Sequence, residues 1–277
     1  AQGPNYPAQG PNYPSQNSPN ASQSNVAVAT QMNQSSTSSP QQEASPPQLG
    51  EDEVDNSIAF SDKSIRRGFI RKVYGILTLQ LIITFGVASI FFFSKTVKDY
   101  MFANPIVFYV ALISSLVLII ILACCPNVRR TSPLNFIFLF LFTAVEGVLI
   151  GVVCATYDND VVLKAVVTTC LLVVALTIFA FQTKIDFTML SGILFCLLIG
   201  LILFGFMCLI FPSDILNTLY AALGAMLFSV YIVVDTQLMM GGKHKMSISP
   251  EEYIFAALNL YLDIVNLFLM ILRLFGN

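Results

Sequence analysis

The sequence predicts an all-α membrane protein, a bundle of seven transmembrane helices with the last helix central, preceded by a disordered N-terminal tail. Three observations carry that prediction. Of 277 residues, 56% are hydrophobic and 11% charged, where a soluble domain carries about a quarter charged residues. Seven apolar runs are long enough to cross a hydrocarbon core, which takes about 20 residues in a helix. The runs lack the period-two alternation of a membrane barrel, and lipid leaves helices as the other way to pair every backbone group. The composition excludes a water-soluble globular fold, and a formal net charge of −2 gives no reason to expect nucleic acid as a partner.

The tail comes first. Residues 1–7 and 8–14 repeat AQGPNYP, and Gln, Ser, Asn and Pro continue to Gly50 without hydrophobic periodicity. A segment of this kind buries too little to offset its ordering entropy, so 1–60 reads as a disordered cytosolic tail and 61–277 as the membrane domain. Its Pro and Tyr residues lack the flanking charge of a complete polyproline docking motif, which favours a flexible spacer. An acidic patch (Glu51, Asp52, Glu53, Asp55) and a basic one (Lys63, Arg66, Arg67, Arg71, Lys72) lead into the first apolar run. No secretory hydrophobic segment precedes them, so no cleavable signal is expected.

The spans follow at 73–93, 105–124, 134–154, 161–181, 189–211, 215–240 and 253–275, separated by polar breaks. Orientation follows from Lys and Arg in the short connections. With the N-terminus cytosolic, that side collects the five basic residues before the first span, then Arg129, Arg130, Lys184, Lys243 and Lys245. The far side holds Lys95, Lys98, Lys164 and Arg273. The excess sets the N-terminus in the cytosol and, with seven full spans, the C-terminus beyond the membrane. A re-entrant last segment would return it, because Asp263 sits at the centre of that run.

The six cysteines (Cys124, Cys125, Cys154, Cys170, Cys196, Cys208) lie within or beside apolar runs without CxxC spacing. They read as packing residues rather than as zinc ligands or disulfides, although Cys124-Cys125 at a membrane boundary could accept an acyl chain. His244, between two lysines, reads as a solvated loop residue rather than a metal ligand. No cofactor is expected.

Three acids fall inside spans: Glu146, Asp235 and Asp263. A carboxylate at mid-bilayer costs about 2.5–3.5 kcal/mol even on the lenient insertion scale, so each is a functional candidate. Asp235 lies about 7–8 Å in from the Gly241-Gly242 break and Asp263 about 15 Å past Tyr253, by helix rise. Antiparallel spans six and seven can therefore bring them within a turn or two of each other. Asn259, Asp263, Asn266 and Arg273 fall at i, i+4, i+7 and i+14, a polar stripe that cannot face lipid, so the last span should be surrounded by the other six. Around Glu146, Thr143, Gly147 and Gly151 form a face that permits close helix approach. This accounts for the glycines and leaves the glutamate as a pore candidate.

Two carboxylates in one low-dielectric site cannot both ionise cheaply and should titrate as a unit, which suits a proton sensor. Asp235 and Asp263, with Asn259, Asn266 and freed carbonyls, could also supply a loose, transient set of Ca²⁺ ligands. The plainer alternative is helix glue, with the acids bonded to each other or paired with Arg129, Arg130 or Arg273.

The stretches FSVYIVVDTQLMMGGKHKMS (228–247) and ALNLYLDIVNLFLMILRLFGN (257–277) resemble the signature of the Bax-inhibitor-motif transmembrane family. SPLNFIFLFLFTAVEGVLIG (132–151) and the Pro/Gly/Tyr-rich tail resemble its Lifeguard, or glutamate-receptor-associated, branch. The resemblance implies a seven-helix bundle with the last helix central, and a pH-sensitive pair that would here be Asp235 and Asp263. It also implies a latch arginine, Arg129 or Arg130, at the start of span three. Its functional implication is a Ca²⁺ leak in an intracellular membrane, endoplasmic reticulum or Golgi, with suppression of programmed cell death and apoptosis regulators or receptors as partners.

Other readings use the same acids. An intramembrane aspartyl protease would need Gly-x-Gly-Asp where the chain has Tyr-Leu-Asp, and a Pro-Ala-Leu tripeptide that is missing, so no enzyme is expected. A proton-coupled transporter would favour paired broken helices. A seven-span receptor would carry Asn-Pro-x-x-Tyr in the last span. A scaffold binding other membrane proteins stays open.

Overall fold

The computed structural model describes the backbone of residues 51–242 and 244–276, with side chains from residue 62 onward. Of the tail expected at 1–60, residues 1–50 lie outside the described residues. Among the described residues the fold is helical, without strands. The first helix, α1, runs Glu51–Phe93 and so takes in residues 51–60 that the sequence assigns to the tail. The others are α2 (Lys95–Ala103), α3 (Pro105–Cys124), α4 (Pro126–Arg130), α5 (Leu134–Cys154), α6 (Asn159–Gln182), α7 (Ser191–Ile210), α8 (Asp214–Met240) and α9 (Tyr253–Gly276).

Seven of these, all but α2 and α4, are long and apolar enough to span a membrane. The chain is a multi-pass membrane protein. The helices alternate in direction. One end of the bundle gathers the start of α1, α4 and the start of α9; the other gathers α2, the α5–α6 connection and the end of α9. At 1.5 Å per residue, the 24 residues of α9 reach about 36 Å, long enough to cross a hydrocarbon core.

The breaks are built from turn chemistry. The Ser94 side chain accepts from the Val97 N–H at 3.4 Å and so caps α2, satisfying a donor that a helix start leaves open. Pro126 opens α4 at the position where its missing N–H costs nothing. Gly241 and Gly242 stop α8 at φ +54° and +70°, a region that disfavours residues with a Cβ.

The last helix is the axis of the bundle. In the apolar window of this span 67% of residues are buried, against 17–39% in the others. It packs on α1, α5, α6 and α8. The expectation that all six other spans surround it is corrected in one respect: α3 packs mainly on α5, and α7 on α8, at the periphery. Lipid tails give apolar side chains no reason to leave them, so close packing and small residues hold such bundles. At Gly147 an added Cβ would come within 2.9 Å of Val87, and at Gly151 within 2.5 Å of the Phe91 ring. These glycines let α5 press against α1.

Candidate functional site

Asp235 reaches the core because the last third of α8 is buried on all sides, from Ile232 to Gln237. Asp263 lies midway along the central helix. Their relative exposures are 8% and 6%, low enough that neither carboxyl meets bulk water. The two carboxyls lie within hydrogen-bonding reach of each other, and Tyr231, one turn before Asp235, stands within electrostatic range of both. Among the described residues Asp263 Oδ2 has no hydrogen-bond partner, and the Thr236 hydroxyl beside Asp235 lies within reach of Tyr74. Buried polar atoms are nearly always paired, so Asp263 Oδ2 is an exception in the interior of the bundle.

Among the described residues no arginine forms a salt bridge with either acid. Arg129 and Arg130, the latch candidates, both bind Glu252 at the entrance of α9. Arg129 donates from Nε to Glu252 Oε2 at 2.6 Å and Arg130 from Nε to Oε1 at 2.6 Å. Arg130 Nη2 also contacts Oε1. The arginines are thus about 16 Å along the helix from Asp263, eleven residues at 1.5 Å each. Arg129 further donates to the Ala123 carbonyl at 2.7 Å and lies over the Phe255 ring at 4.9 Å. Beside it, Lys72 Nζ sits 3.3 Å from the Tyr253 ring centroid, and Asn135 donates to the Tyr253 hydroxyl at 3.0 Å. Three elements therefore close on the start of α9. Residue patterns alone did not single out Glu252, because SPEE reads as an ordinary helix start and its partners are about 120 positions away.

The remaining candidates occupy separate places. Arg273 donates to Asn217 Oδ1 at 2.7 Å and lies over Tyr220, at the opposite end from Glu252. Asn266 donates to the Leu262 carbonyl of its own helix at 2.8 Å, and Asn259 is half-buried. Glu146 accepts from the Ser115 hydroxyl of α3. A second polar layer lies on the other face of α9, where the Thr84 and Tyr261 hydroxyls are 2.8 Å apart and Gln80 donates to Thr143 at 3.1 Å. No helical stripe reveals this layer, since each contact joins different spans. Among the described residues no group of three acid, His or Cys side chains gathers to hold a metal. Asp235 and Asp263 are two ligands, far fewer than the six to eight oxygens of a resident Ca²⁺.

Near the α9 entrance the loops are pinned. Gln237 accepts from the Phe187 N–H at 2.8 Å and donates to the Ile185 carbonyl at 2.9 Å. Asp186 accepts from the Thr188 hydroxyl at 2.6 Å and the Lys245 N–H at 2.8 Å, with His244 Nδ1 at 3.3 Å. The reading of His244 as a solvated residue is corrected: its side chain is 11% exposed and engaged with Asp186. The bond from the Thr188 hydroxyl, then that from Lys245, hold the Asp186 carboxyl well below the usual carboxylate range.

Comparison with known proteins covers nearly all of the membrane domain. The family model described as inhibitor of apoptosis-promoting Bax1 matches residues 66–277. Protein lifeguard 3 of Homo sapiens is 40% identical over 227 residues, 79% of this chain and 71% of that protein. Protein lifeguard 3 of Mus musculus is 41% identical over 223 residues, 79% and 72%. Protein lifeguard 4 of Mus musculus is 38% identical over 216 residues, 78% and 87%. The acid pair, both arginines and Glu252 all lie inside the matched region.

Proposed function

The chain belongs to the family of the inhibitor of apoptosis-promoting Bax1, and from that premise we propose that it is a pH-sensitive Ca²⁺ leak in an intracellular membrane. The observation that carries the reading is the pair Asp235 and Asp263, two buried carboxyls in contact between α8 and the central helix. A proton shared by the pair neutralises part of its charge, and loss of that proton leaves like charges in a low-dielectric site, which forces them apart or recruits a cation. Ca²⁺ is the permeant ion, passing the acids rather than residing on them. The compartment is the endoplasmic reticulum or Golgi, with the N-terminus cytosolic, and slow discharge of its Ca²⁺ connects the leak to suppression of cell death. No enzymatic step is assigned.

In this proposal the clasp of Glu252 by Arg129 and Arg130 is the closed cytosolic mouth, standing above the acid pair in place of an arginine bound to it. The clasp ties the connection between spans two and three to the helix that carries Asp263, so release at the mouth and rearrangement at the acids are coupled mechanically. The test is Ca²⁺ entry into dye-loaded liposomes containing the purified full chain. Entry whose pH dependence is lost in Asp235→Asn and Asp263→Asn supports the leak. Equal silence of wild type and both variants overturns it and leaves a membrane scaffold, which binds other proteins through its tail and spans, as the better account.

A further inference from the structure

At the end of the bundle opposite Glu252, two recesses meet at one lysine. The first, about 390 Å³, is an apolar groove on α6 and the end of α9, walled by Leu163, Val167 and Phe275. The second, about 610 Å³, is polar and holds Lys98 of α2 together with Asp158, Asp160 and Lys164 at the start of α6. Lys164 lines both.

Two features identify what fits. Both signs of charge share the polar recess, yet no salt bridge closes between these lysines and aspartates among the described residues. Opposite charges held apart in one recess complement a ligand that carries both charges itself. The depth is equally telling. In α2, Tyr100 is 60% and Phe102 51% exposed, aromatic surface on a short helix between spans, as found where a protein meets the lipid headgroups. Leu163 and Val167, more than half exposed, face the hydrocarbon just below.

We propose that this is a binding site for a zwitterionic phospholipid with a primary ammonium, of the phosphatidylethanolamine type. One acyl chain lies along the groove of Leu163, Val167 and Phe275. The phosphate sits at Lys164 and Lys98, whose long stems can lie on apolar surface while the charge reaches the headgroup. The ammonium donates to Asp158 and Asp160, which a quaternary choline cannot do and which repel an anionic headgroup without an amine. The site does not depend on the leak reading, since it uses neither acid of the pair.

Native mass spectrometry of the full chain in detergent, supplied with phosphatidylethanolamine, phosphatidylcholine or phosphatidylglycerol of identical acyl chains, tests it. Wild type should retain phosphatidylethanolamine best. Lys164→Ala and Lys98→Ala should each lower retention about two- to fivefold, the worth of one solvent-accessible ion pair with the phosphate. The pair Asp158→Asn with Asp160→Asn should invert the preference toward phosphatidylglycerol, an outcome that general destabilisation would not produce. Equal retention of the three lipids by wild type overturns the proposal. So does undiminished phosphatidylethanolamine on a Lys164→Ala chain that unfolds at the wild-type temperature.

Discussion

Gly241 ends α8 with φ at +54°, and an added Cβ would lie 2.8 Å from the Arg66 guanidinium. Arg66 donates to the Ile248 carbonyl at 2.7 Å, so this glycine and this arginine together fold the connection back over the end of α8. Gly241→Ala should cost about 1–3 kcal/mol, the usual cost of a side chain in a backbone region reserved for glycine, read as a lower unfolding temperature in detergent. Asp186 gives a pH signature at the same end. Its folded value is depressed, so its stabilisation is complete above the ordinary carboxylate value near 3.9 and is lost as pH falls through the depressed one. Asp186→Asn should therefore lower the unfolding temperature at about pH 5 and above, and the gap to wild type should narrow well below about pH 4. Residues differ in how plainly sequence reveals them. Asp235 and Asp263 stand out because a charge in an apolar run is expensive wherever it ends up. Glu252 and Asp186 lie in polar connections where charges are unremarkable, and only tertiary contact gives them partners.

Helix contacts make sharper demands than helix lengths. The seven spans were legible because hydropathy and the 20-residue requirement fix them independently of their neighbours. The short α2 and α4 fall in polar breaks of the sequence and are too short for hydropathy to register. The face of Gly147 and Gly151 was legible as a close approach, although the partner, α1, was not. Gly151→Ala would place a Cβ 2.5 Å from the Phe91 ring and 3.1 Å from the Ala88 Cα, and should destabilise by about 1–3 kcal/mol through overpacking. Gly200, with nothing within 4 Å of an added Cβ, is the internal control, and its alanine variant should unfold at or above the wild-type temperature. Glu252→Gln removes the charge that two arginines share, loosening α4 from α9. In liposomes this variant should leak Ca²⁺ severalfold faster than wild type at neutral pH. A rate equal to wild type would separate the clasp from gating.

For the molecule as a whole, the central place of α9 was readable from its polar stripe, since a helix with Asn259, Asp263, Asn266 and Arg273 on one side is expelled from lipid. Its set of neighbours was not, because similarly apolar spans give no sequence signal for which pairs touch. The alternation of seven crossings puts Cys124 and Cys125, both exposed, at the same end as the start of α1. With the N-terminus cytosolic, a membrane-impermeant thiol reagent should label these two from the cytosolic side alone, and labelling from the lumen would reverse the orientation. The central claim joins the whole bundle to two side chains: a proton shared by Asp235 and Asp263 governs ion passage along α9. The most direct measurement is the rate of Ca²⁺ entry into liposomes across roughly pH 6 to 8 for wild type, Asp235→Asn and Asp263→Asn side by side, because two interacting carboxyls titrate as one unit. The account predicts a pH-dependent rate in wild type that becomes flat in either variant, whereas an unchanged pH profile in both variants would contradict it.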